Sequence, residues 1–280
     1  MSKKSKKRFL LVAVLLMFIV VVSGCSNINQ PITKNSPGFW NHYVLYQFSR
    51  FILWLAHLVG DNYGWAIVLF TIIVRIILLP LNWWQTNSMK KQMAIQPQMK
   101  ALQNKYSAKD MDTQQKLQAE TKKLYAEAGV NPFIGCLPLV IQLPVMWALY
   151  QAIYRTTQLR DGSFLWMSLG KPDPIYVLPI LAAIFTFLST WIANLSQPDQ
   201  PQSTKMMMWF MPIVVLIPAI SFPSAISVYW VVSNAFQVVQ TLFLQNPFKY
   251  RREQREKQEQ EKERQKALRK ARKKAYKKHK

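Results

Sequence analysis

Apolar residues in this chain cluster into runs about as long as a bilayer is thick, and the stretches between them carry nearly all the charge. Residues 1–24 run from basic residues through an apolar stretch to small residues, the order of a cleaved signal peptide. In segment 25–62 a polar linker precedes Gly38–Val59, an aromatic run interrupted by Asn41, His42, Gln47, Ser49 and Arg50. Reading that run as a span would put the Lys-rich stretches on the wrong side of the positive-inside rule, so a helix lying in the outer interface is expected. Five spans follow, at 63–82, 133–150, 174–194, 206–222 and 224–244. Between the first two, residues 83–132 hold eight Lys and four acids. They read as two helices, Trp84–Tyr106 and Met111–Ala128, split at Ser107-Ala108-Lys109-Asp110 and stopped by Gly129. The expected fold class is an all-α polytopic membrane protein: five transmembrane helices, a cytoplasmic helical hairpin and an outer interfacial helix. Residues 155–172 are expected as an outer loop and 196–205 as an inner one.

Composition agrees with that class: of 280 residues, 50% are hydrophobic and ten are Trp. The formal net charge of +23 is uneven, since residues 249–280 hold sixteen Lys/Arg against five Glu, hence +11. This basic cytoplasmic tail has no apolar face to bury and suits polyanions, either ribosomal RNA or anionic lipid headgroups. Of the two cysteines, Cys25 ends Val22-Ser23-Gly24-Cys25, which resembles a bacterial lipobox and predicts lipidation at Cys25 with the mature N-terminus outside. Cys136 reads as a small buried residue. Three His, no Ser/His/Asp constellation and no metal-ligand spacing argue against an enzyme, and no metal or cofactor is expected.

One charge stands out within the spans. Arg75 lies about seven residues, or roughly 10 Å, from the inner end of the first span, and no Asp or Glu occupies any long apolar segment. An intramembrane cation costs about 2.5–3.5 kcal/mol or more and marks a functional site by default. Lacking a carboxylate, it is expected to face a water-filled cavity. Thr71, Arg75 and Asn82 share one helical face. Gln142 sits in the second span, and Thr186, Thr190 and Asn194 repeat every four residues in the third. Trp230, Ser233, Asn234, Gln237 and Gln240 follow one side of the fifth. These stripes either line a water-filled cavity around Arg75 or act as hydrogen-bonding glue between helices. Span four has no such stripe. At about 17 residues, broken by Pro212 and Pro218, it reaches roughly 26 Å against a core of about 30 Å. The Met-rich face of the hairpin (Met89, Met93, Met99, Met111) suits either an adaptable binding surface or packing of its two helices.

The stretch Asn131-Pro132-Phe133-Ile134-Gly135-Cys136-Leu137-Pro138-Leu139-Val140-Ile141-Gln142-Leu143-Pro144-Val145 resembles the entry into the second span of the YidC membrane protein insertases. Gln96-Pro97-Gln98-Met99-Lys100-Ala101-Leu102-Gln103-Asn104-Lys105-Tyr106 resembles the hairpin of the same family. With the lipobox, the chain is similar to the Gram-positive lipoprotein-type form with a long basic tail. The resemblance implies a groove open to the cytoplasm and to lipid, in which Arg75, Thr71, Gln142, Thr190, Asn194, Trp230, Ser233 and Gln237 meet the client. It implies nascent membrane proteins, the ribosome, the Sec translocon and anionic lipids as partners, no small-molecule substrate, and the bacterial cell membrane as location. Two rivals come from other classes. A secondary transporter would need a proton-relay acid and an inverted repeat, neither of which five acid-free spans supply. A tether acting through the tail alone would lose all activity with residues 251–280.

Overall fold

A computed structural model of the protein describes residues 30–195 except 109, 132, 133 and 136, then 202–245, and in the tail 252, 255, 256 and 259–270. The signal peptide, Cys25 and Cys136 lie outside the described residues, as do residues 196–201 of the inner loop and most of the basic tail. Helix α1 (Trp40–Leu58) opens with a π-helical turn, Trp40–Leu45. A tight turn with positive φ at Gly60 and Asp61 leads into α2 (Tyr63–Ile77), capped by the Asn62 side chain accepting from the Trp65 N–H at 3.1 Å. The two helices meet at 115°. Next come α3 (Leu79–Ala94), α4 (Gln96–Lys105), α5 (Met111–Glu127) and α6 (Leu137–Arg155). A short α7 (Thr157–Asp161) and a two-stranded antiparallel hairpin, β1 (Ser163–Phe164) with β2 (Met167–Ser168), precede α8 (Val177–Leu195), α9 (Gln202–Ser221) and α10 (Ser224–Gln245). Among the described residues, α8 and α10 are each long and apolar enough to cross a membrane, and α1 with α2 qualify as a bent pair.

Prolines set the breaks. Pro80 lies in the first turn of α3 and cannot donate to the Ile76 carbonyl, so α2 ends at Leu78, whose N–H donates to the Val74 carbonyl at 3.0 Å. Pro97, in the first turn of α4, likewise divides the expected Trp84–Tyr106 helix at Ile95. The hairpin then folds back through Asp110, whose carboxylate accepts the Thr113 N–H at 2.9 Å, a bond that holds its pKa below the ordinary value. Met99 is buried against α5, where the Thr121 hydroxyl donates to its sulfur, whereas Met111 is fully exposed. The Met-rich face is therefore divided between packing and open surface. One expectation about span four is corrected: Pro212 and Pro218 lie inside one continuous helix, α9, whose apolar part is the short Met208–Ser221.

The main apolar core sits at one end of the bundle. It joins Ile52, Leu55 and Ala56 of α1 with Ala66, Ile67 and Phe70 of α2, Leu149 and Ile153 of α6, and Ala225, Ile226, Val228 and Tyr229 of α10. The 155–172 stretch, expected as an open loop, belongs to this core: Leu159, Phe164, Met167 and Leu169 are all buried. Phe164 lies so close on α2 that a Cβ at Gly64 would collide with its ring. Beyond Thr71 in α2, and before Ala148 in α6, burial falls off. Helix α9 packs chiefly on α8 and leaves Trp209, Phe210, Ile213 and Ile217 exposed.

Just before α8, the Asp173 carboxylate is almost fully enclosed and accepts from Trp166 Nε1 at 2.9 Å, the Ile175 N–H at 3.2 Å and the Leu178 N–H at 2.8 Å. Burial pushes its pKa up, but those donors outweigh it and hold the group below its ordinary value. Asp173→Ala orphans the donors and is expected to cost about 1–3 kcal/mol at neutral pH. A depressed native pKa stabilises the fold above the unfolded value near 4 and loses that stabilisation as pH falls through the native value. Thermal unfolding of both proteins from pH 7 to 3 should therefore show a steady gap above about pH 5 that closes in acid.

Candidate functional site

Helix α2 delivers Arg75 one turn past the fully buried Thr71, at the level where the core ends. There the guanidinium meets α10. Its Nε donates to Ser233 Oγ at 2.7 Å and its Nη1 to Gln237 Oε1 at 3.2 Å. Ser233 and Gln237 are four residues apart, so α10 offers both acceptors from one face. The ladder continues in both directions along α10. Toward the core, Tyr229 Oη accepts from Gln142 Nε2 at 2.8 Å and so ties α6 to α10. Toward the other end, Gln240 Oε1 accepts from Asn82 Nδ2 at 3.3 Å, and Lys90 Nζ donates to the Leu244 carbonyl at 3.2 Å. Arg75 remains only partly buried, and among the described residues no carboxylate pairs with it.

Of the residues expected around Arg75, the structure brings Ser233 and Gln237 into contact with it and places Gln142 one layer away. The others take different positions. Thr71 Oγ1 donates to the Ile67 carbonyl of its own helix at 2.7 Å. Thr190 turns to the Thr186 and Phe187 carbonyls, and Thr186 Oγ1 accepts from Asn234 Nδ2 at 2.7 Å, so this part of the α8 stripe joins α8 to α10. Trp230 stacks near Phe222 on the edge of the core. Asn194 is partly buried near the end of α8. Among the described residues no group of His, Cys, Asp or Glu is arranged to hold a metal.

The family model for the 60Kd inner membrane protein matches residues 54–255, a range that contains every residue of this polar ladder. The chain belongs to the YidC family. It is 51% identical over 253 residues to membrane protein insertase YidC of Enterococcus faecalis, covering 90% of each chain. Against membrane protein insertase YidC 2 of Lactiplantibacillus plantarum the identity is 56% over 252 residues, again 90% of each. Against membrane protein insertase MisCA of Bacillus subtilis it is 44% over 242 residues, 86% of this chain and 93% of that one. An active YidC insertase crystal structure with the first transmembrane domain resolved is similar to it with a TM-score of 0.59 and 32% identity, over 73% of this chain and 47% of that chain. This chain thus spans about half the length of that solved one. These relatives are named as insertases rather than enzymes.

Sequence reasoning missed two parts of this polar arrangement in the YidC family chain. Tyr229 reads as an ordinary aromatic, and only its four-residue spacing before Ser233 and Gln237 hints that it continues the ladder. Gln85, buried in α3 and donating to the Ile134 carbonyl at 3.1 Å, ties the base of the hairpin to the approach to α6 and has no signal in the pattern. The Arg75–Ser233 bond is charge-assisted and partly shielded. A double-mutant cycle of Arg75→Met and Ser233→Ala, read by thermal unfolding in detergent, is expected to give a favourable coupling of about 1 kcal/mol.

Proposed function

We propose that this chain is a membrane protein insertase whose working site is a hydrophilic groove around Arg75, open to the cytoplasm and to lipid. The observation that carries this reading is a guanidinium that, among the described residues, is bound by neutral acceptors alone, at the level where the apolar core stops. A charge so placed has unused capacity for an anionic or polar segment, and a bundle packed tightly at one end only leaves room for it at the other. Arg75 attracts acidic or polar residues of the translocating segment, while Gln142, Ser233, Gln237, Thr190 and Asn194 lessen its desolvation, with Thr71 and Trp230 shaping the wall. Five spans surround this groove: α2 with the first turn of α3, then α6, α8, α9 and α10. The apolar part of the client leaves sideways past α9, whose outer face is exposed and apolar, and its burial in lipid drives the step at about 25 cal/mol per Å². The sharp bend between α1 and α2, with Phe39, Tyr43 and Trp54 exposed along α1, supports an interfacial α1 on the outer face.

Location in the bacterial cytoplasmic membrane, lipidation at Cys25 and an outside N-terminus complete the reading. The base of the hairpin caps the cytoplasmic mouth through Asn82 and Lys90, and the basic tail beyond α10 engages the ribosome or anionic lipid there. Clients are nascent membrane proteins.

Losing one charge-assisted hydrogen bond worth about 1.5–3 kcal/mol slows a step roughly ten- to a hundredfold. Arg75→Ala in reconstituted vesicles is therefore expected to slow insertion of clients with acidic leading tails by at least tenfold, and of neutral ones by less. Equal insertion of acidic clients by both proteins would refute the role of the groove.

A further inference from the structure

A second set of polar groups lies away from the Arg75 ladder, on the face of α6 that meets α1. Ala148 packs with Trp40 and Leu45 at the π turn of α1, with Trp147 beside it. Seven residues further along α6, Arg155 donates from Nη1 to Asn41 Oδ1 at 2.7 Å and from Nε to the Gln30 carbonyl at 2.8 Å. Next to it, Thr156 Oγ1 donates to Ser49 Oγ of α1 at 2.9 Å. Gln151 lies between these contacts, three residues after Ala148 and four before Arg155, so it points into the same seam. It is wholly enclosed, with 0% exposure. Among the described residues neither its Nε2 nor its Oε1 has a partner, and the indole N–H groups of Trp40 and Trp147 are also buried without an acceptor.

A polar atom buried without a partner forfeits the hydrogen bonds it made to water, and folded proteins carry few of them. Four in one helix seam, where a Leu would fill the space of Gln151 at no such cost, call for a polar occupant. The chemistry of the set selects it. Three donor nitrogens would suit an anion, but an anion would repel Oε1; a cation would suit Oε1 and repel the donors. Water both donates and accepts, and a buried water typically makes about three hydrogen bonds. We propose that the seam between α1 and α6 binds a small cluster of ordered water molecules that bridges Gln151 to the indole nitrogens of Trp40 and Trp147.

Radiolytic hydroxyl-radical footprinting of the full chain in lipid nanodiscs tests the site, because bound water generates radicals where bulk water does not reach. Trp40, only 9% exposed, is expected to be oxidised several-fold faster than Phe70 of the dry core after correction for intrinsic reactivity. Gln151→Leu should lower that rate several-fold and lower the Tm. Oxidation of Trp40 in the unaltered protein no faster than the dry core overturns the proposal, and that measurement needs no variant to fold. A rise in Tm with Gln151→Leu and unchanged labelling overturns it equally. Neither result touches the Arg75 insertion assay, so the two ideas fail separately.

Discussion

The bundle is organised by the cost of keeping one guanidinium inside it. Arg75 needs donors satisfied on every side, yet no carboxylate among the described residues reaches it, so α10 must present Ser233 and Gln237 at matched height. That requirement fixes the rotation of α10 against α2. The same rotation then sends Tyr229 toward Gln142 and Gln240 toward Asn82. A buried ion pair would have satisfied the charge fully. Ser233 and Gln237 are neutral acceptors and leave its charge uncompensated.

The uneven core follows the same logic. Where α1, α2, α6, the 155–172 segment and α10 come together, Phe70, Ile153, Leu159 and Ile226 are almost completely enclosed and close the bundle. The space around Arg75 cannot be filled in that way, since apolar packing there would strip a cation of its partners without replacing them. Proline placement adds to the looseness. Breaks at Leu78 and Ile95 separate the apolar α2 from the polar helices of the insert, which are joined to it by short turns.

Much of this was legible in the chain. The apolar runs, the lone Arg75, the Ser233–Gln237 spacing and the two-helix insert all follow from periodicity and charge, because a bilayer tolerates few alternatives. Helix ends were less legible. The α6 helix continues to Arg155 because Asn41 and the Gln30 carbonyl receive its guanidinium, and that contact is more than a hundred residues away in sequence. The 155–172 segment looked like loop because its apolar residues are few and irregularly spaced, yet it packs as a lid on the core. Pro212 and Pro218 looked like breaks but lie within α9, which stays continuous through both.

Sequence by itself determined which segments are apolar enough to leave water, where the charges must stay outside them, and that Arg75 would have no acidic partner in the spans. Those are properties of composition and period, decided one segment at a time. Only the tertiary structure decided which polar groups face one another. Thr186 and Thr190 belong to the same stripe by spacing, but Thr186 joins α10 through Asn234 while Thr190 returns to its own helix. A stripe specifies a face and not a neighbour, and the neighbour is set by how helices from distant parts of the chain rotate to satisfy all their buried donors at once.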